Sequence, residues 1–86
     1  MKFSNYFHHT RRRNDRKDID IKWIEATYSF PEKELIQLDG RIRRWKYIKE
    51  VDRYLRVVIL EDKKTVHNAF LTGRSNKIIA YDNYLF

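Results

Sequence analysis

The chain has 86 residues, 42% of them hydrophobic and 15% aromatic, which is enough for one small packed domain and argues against wholesale disorder. It has no cysteine, so a disulfide and a thiolate zinc site are both excluded, and a reducing compartment suits it. Lys and Arg number 19 against 12 Asp and Glu, and the formal net charge of +7 points to a polyanionic partner: RNA, DNA, an acidic protein or an anionic membrane.

Met1 to Asn14 lacks the continuous apolar segment of a signal peptide. No apolar run approaches the roughly 20 residues needed to span a bilayer. A cytoplasmic protein that does not use a membrane is the expectation.

Phe3, Tyr6 and Phe7 follow the i, i+3, i+4 spacing of one helix face. Ser4 or Thr10 can cap a helix there, and the pattern predicts a first helix within residues 5–17. It leads into a basic run, His9-Thr10-Arg11-Arg12-Arg13-Asn14-Asp15-Arg16-Lys17. A second helix is predicted over 20–29. Asp20 is a natural N-cap, Ile19 can staple onto Ile24, and Pro31 disfavours helix at Phe30. Ile21, Ile24 and Tyr28 lie along one side of this helix, with Trp23 beside them.

From Glu34 the pattern becomes that of strands, predicted over 34–38, 41–49, 54–61 and 65–71. Asp39-Gly40 is a two-residue hairpin signal, and Asp62-Lys63 suits a tight turn. Thr72 to Ser75 reads as a loop. The apolar stretch Ile78 to Phe86, within a C-terminal segment 75–86, is a final strand, a strap across the core, or a surface for a partner or homodimer. The expected fold is α+β, with two N-terminal helices packed on one face of a small four-stranded antiparallel sheet.

Pairing Leu38 with Arg41, Glu50 with Tyr54 and Glu61 with Lys64 sorts the side chains, because successive residues of a strand face opposite ways. One face collects Ile36, Leu38, Trp45, Tyr47, Leu55, Val57, Ile59, Val66 and Phe70, a core for the helices to cover. The other collects Gln37, Arg44, Lys46, Tyr54, Arg56 and His67, with Ile42, Ile48 and Val58 among them. Arg43 and Asn68 fit badly on the core face. A one-residue slip overturns the sorting of a whole strand.

Two constellations suit RNA. The first is the basic helix with His9, Arg12, Arg13, Arg16 and Lys17, where residues four apart are neighbours and arginines match phosphate oxygens. The plain alternative is a solvated helix surface balanced by Asp15 and Asp18. The second is the sheet face with Arg44, Lys46, Arg56 and His67, where Tyr54 or Tyr47 can stack a base. Metal-free RNA cleavage needs a base, an acid and cations around the phosphorus, and histidine suits the proton transfers. The plain alternative for His67 is cross-strand packing. With only Gly40 and Gly73 there is no glycine-rich phosphate loop, and His8, His9 and His67 lack metal-ligand spacing. Neither cofactor nor metal is expected.

The order of these pieces resembles the small bacterial RelE/BrnT-like proteins, in particular an uncharacterised branch that begins with a His-x-x-x-Arg helix. The resemblance rests on His9, Arg13, Lys17 and Ile19, then Phe30-Pro31, then Gly40-Arg41 leading into a strand. Arg53-Tyr54-Leu55-Arg56-Val57-Val58 and Asn68-Ala69-Phe70 complete it, so it covers about residues 7–71. Lys17 stands where the family has arginine, and Asn68 where it has threonine. The resemblance implies two helices on a small antiparallel sheet and a toxin of a toxin–antitoxin pair that cuts mRNA, free or on the ribosome. It also implies an acidic antitoxin protein as partner.

The resulting expectation is a metal-independent endoribonuclease. Its catalytic set is His9, Arg13, Lys17, Arg56 and His67. Its RNA-binding set is Arg12, Arg16, Arg44, Lys46 and Tyr54. The rivals are a non-catalytic nucleic-acid-binding module and a protein-interaction domain.

Overall fold

The computed structural model of the protein describes residues 1–12 and 19–72. In chain order its elements are β1 (Lys2–Phe3), α1 (Asn5–Thr10), α2 (Ile21–Ser29), β2 (Lys33–Ile36), β3 (Ile42–Ile48), β4 (Arg53–Ile59) and β5 (Thr65–Leu71). The strands form one five-stranded sheet in the order β1-β5-β4-β3-β2.

This corrects the expected four-stranded antiparallel sheet. The sheet is mixed, because β1 runs parallel to β5 with Lys2 beside Thr65 and Phe3 beside Val66. The Lys2 N–H donates to the Lys64 carbonyl at 2.9 Å, and the Ser4 N–H to the Val66 carbonyl at 3.0 Å. Two residues are too few to show a strand period, and their partner lies some sixty positions along the chain. No local pattern announces such a pair.

Both helices are short. Ser4 caps α1, its hydroxyl accepting from the Phe7 N–H at 3.0 Å. The Thr10 hydroxyl turns back to the Phe7 carbonyl at 3.2 Å. The first helix is expected within residues 5–17, and α1 occupies Asn5–Thr10 of that span; Arg13 to Lys17 and the C-terminal segment 75–86 lie outside the described residues. Asp20 caps α2 by accepting from the Lys22 N–H at 2.9 Å. The helix ends before Pro31, with Phe30 at φ −135° and its N–H on the Ala26 carbonyl. No described helix is long and apolar enough to cross a membrane.

The hairpin turns set a register different from the expected one. Gln37 and Arg41 bond across Leu38-Asp39-Gly40, with Gly40 at φ +89° and its N–H on the Gln37 carbonyl. This three-residue loop with glycine in the left-handed region replaces the expected two-residue one. Between β3 and β4 the ladder closes at Ile48 and Arg53 around a four-residue loop, with Asp52 at φ +52°. Tyr54 therefore faces Tyr47, three positions from the expected Glu50.

An odd shift inverts a strand relative to its neighbour. Ile42, Arg44, Lys46 and Ile48 share a side with Leu55, Val57 and Ile59, while Trp45 and Tyr47 point the other way. Ile36 pairs with Ile42 and so returns to the helix side, because the two odd shifts cancel for β2.

The core lies on the helix side. Phe7, Ile19 and Ile24 pack there with Ile42, Ile48, Leu55, Val57, Ile59, Val66 and Ala69. Trp45 is fully buried but stands outside that cluster, with the Lys33 ammonium 5.4 Å from its ring centre. Across β4 and β5 the register slips at a bulge: Val58 faces Asn68, but Ile59 faces Val66. His67 is the extra residue. Beyond the bulge Asn68 and Phe70 turn to the second face, correcting Phe70 as a core residue.

Candidate nucleic-acid interface

The second face of the sheet carries a groove of about 300 Å³. The β2–β3 hairpin brings Gln37, Asp39 and Arg41 to it, and β3 brings Arg43. Arg56 and Val58 come from β4, His67 from the bulge, Asn68 and Phe70 from β5, and Tyr6 from α1. Three guanidiniums face one carboxylate, which leaves the lining at +2 with His67 neutral.

Each cation is held in a different way. The Arg56 guanidinium lies 4.1 Å from the Phe70 ring centre, in cation–π contact with it. Arg41 stands 3.8 Å from the Asp39 carboxylate, with 42% of its side chain exposed, so it keeps most of its reach for another anion. Arg43 enters from β3, two residues along from Arg41.

His67 is the one imidazole of the groove. Its Nδ1 lies 3.2 Å from the Ser4 hydroxyl, and the Tyr6 ring stacks on it at 4.5 Å and 12°. The bulge turns this ring toward α1, and the parallel β1–β5 pair holds Ser4 against it. Burial pushes the His67 pKa below the ordinary imidazole value of 6.5; the Arg41 charge pushes the same way, and Glu61 opposes. The shift favours the neutral ring. With Nδ1 engaged by Ser4, Nε2 is the nitrogen left for a substrate proton.

Of the residues singled out from sequence, Arg56 and His67 line the groove. Tyr54 shares their face and meets Tyr47 edge-on at 5.6 Å. Arg44 and Lys46 do not join them, because the register turns both to the helix side. Arg44 bonds the Glu34 carboxylate at 2.6 Å and the Tyr28 carbonyl at 2.5 Å. Lys46 donates to the Phe30 carbonyl at 3.2 Å. Both satisfy the carbonyl end of α2, where a cation is favoured. His9 is exposed on α1 and Arg12 just beyond it, and neither lines the groove. Arg13, Arg16 and Lys17 lie outside the described residues.

Sequence reasoning missed Tyr6, Arg41 and Arg43 as members of this site. A signal was present for Arg43. Together with Asn68 it was the misfit on the expected core face, and both belong to the groove.

Among the described residues, no three His, Cys, Asp or Glu side chains come together as a metal site. No family model, no curated protein and no solved structure matches this chain.

Proposed function

We propose that the protein is a metal-independent endoribonuclease, the toxin of a toxin–antitoxin pair, with its centre in this groove rather than on the basic run. One observation carries the reading: Arg41, Arg43 and Arg56 share a groove with an imidazole whose Nδ1 lies 3.2 Å from the Ser4 hydroxyl. The arginines suit a phosphodiester backbone and the extra negative charge that builds on a pentacoordinate phosphorus.

In the proposed reaction His67 Nε2 takes the proton of the ribose 2′-hydroxyl. The 2′-oxygen bonds to phosphorus as the bond to the 5′-oxygen breaks, and solvent protonates the leaving oxygen. The products are a 2′,3′-cyclic phosphate and a 5′-hydroxyl. The sequence resemblance supplies the toxin assignment and the acidic antitoxin partner, whose charge would complement this basic face.

A second reading has its own support. Among the described lining residues His67 is the single imidazole, so no second histidine stands beside it to protonate the leaving oxygen. That arrangement suits a module that binds RNA without cutting it.

The test is end-labelled single-stranded RNA incubated with purified protein in excess EDTA, beside His67→Ala and Arg56→Ala. Cyclic-phosphate ends from wild type alone, with growth arrest on expression, support the nuclease. Intact RNA with tight, salt-sensitive binding selects the binding module. Intact RNA without binding refutes both.

A further inference from the structure

We infer that Tyr6 forms the floor of a nucleobase subsite at the edge of the groove, so that the ligand is single-stranded RNA read by one stacked base beside a clamped phosphate. The inference rests on the RNA reading above and adds to it a recognition element outside the charged set.

Tyr6 is among the few large apolar side chains that remain well exposed, at 44%. One ring face is already used, stacked on the His67 imidazole at 4.5 Å and 12°. The ring cannot drift far. Its neighbour Phe7 is buried in the core and packed on Phe3 at 4.5 Å. The Ser4 hydroxyl joins the N-terminus of α1 to the His67 ring. The stack is thus built before any ligand arrives, which lowers the ordering cost of binding.

A base laid on Tyr6 would extend this two-ring stack to three. The Arg41, Arg43 and Arg56 guanidiniums line the same groove, so the phosphate attached to that nucleoside has cations at hand. Every base has a π-face, and a stack without edge contacts accepts all four. The subsite therefore selects unpaired strands over duplex, since a base within a helix cannot leave its own stack without cost.

The closing experiment uses the full chain and two fluorescent ligands of equal length, a single-stranded RNA and an abasic sugar-phosphate oligomer. Stacking of one base on an aromatic ring is worth about 1–3 kcal/mol, so Tyr6→Ala should weaken RNA binding by about 5- to 150-fold. Its affinity for the abasic oligomer should change less than about twofold, because only phosphates are read there. Tyr6→Phe should rescue RNA binding, since the ring and not the hydroxyl makes the stack. Adding RNA should also move the Tyr6 ring proton resonances upfield, since the base stacks directly on that ring.

Unchanged RNA affinity in Tyr6→Ala overturns the inference while leaving RNA binding intact. Equal losses on both ligands also overturn it, because the defect is then in the fold or the phosphate clamp. If wild type binds neither ligand, the RNA reading itself has failed, and the subsite with it.

Discussion

Arg43 and Arg44 are adjacent in sequence and opposite in consequence, and the pair tests the sheet register directly. Arg44 faces the helices with 19% of its side chain exposed. Replacing it with Met keeps the apolar stem and removes the charge. Two interactions disappear. The ion pair with Glu34 has a partner 40% exposed, so screening holds it to about 0.2–1 kcal/mol. The charged hydrogen bond to the Tyr28 carbonyl is worth about 1.5–3 kcal/mol, and its loss leaves the last turn of α2 short of a donor. Arg44→Met should therefore cost about 2–4 kcal/mol. In a domain of this size each kcal/mol lowers Tm by about 4–8 °C, so the melt should fall by roughly 10 °C or more.

Arg43→Met should act on RNA instead. It should weaken binding to all sequences alike, and lower the slope of log affinity against log salt by about 0.7 for a single strand. The assays are thermal melting by circular dichroism and anisotropy of a labelled single-stranded RNA at several salt concentrations. An Arg44→Met protein that melts like wild type but loses the salt slope would refute the register and return Arg44 to the RNA face.

Four further outcomes follow from other parts of the molecule. Gly40→Ala places a side chain at φ +89° with its Cβ 3.1 Å from the Glu61 Cβ, and should lower stability by about 1–2 kcal/mol in urea unfolding. Leu55→Ala, at a fully buried core position, should cost about 2–5 kcal/mol by the same assay. The His67 ring should titrate below 6.5 by NMR. The stability its neutral form contributes is present above pH 6.5 and is lost as the pH falls through that lower value. Asp62 accepts from the Thr65 hydroxyl and from the Lys64 and Thr65 N–H groups, which pull its pKa from 3.8 to about 2. Its contribution is present above pH 3.8, so the gap between wild type and Asp62→Ala should close as the pH falls through about 2.

Local chemistry made several elements legible. Asp20 and the Pro31 stop bracket α2, since a cap oxygen and a missing helical conformation act within one turn. The run expected at 65–71 coincides with β5, Thr65–Leu71. Asp39-Gly40 does mark a hairpin, though the loop is one residue longer than the dipeptide alone suggests. The candidate site was less legible. Arg56 and His67 were singled out and do line the groove, but the grounds were a register that holds only in part. Arg44 and Lys46 were assigned to the wrong face by the same register.

The sequence by itself determined what short-range forces decide: helix caps, the presence of turns, strand-forming runs, and a basic charge suited to a polyanion. The tertiary structure alone decided which charges work together. Side chains alternate with a period of two, so a one-residue change in a loop moves an entire strand's arginines from one face to the other. The bulge at His67 and the pairing of β1 with β5 join distant segments, and their stability comes from contacts that exist only once the chain has closed. Tyr6, Ser4 and His67 meet for that reason, at a site no single stretch of the chain contains.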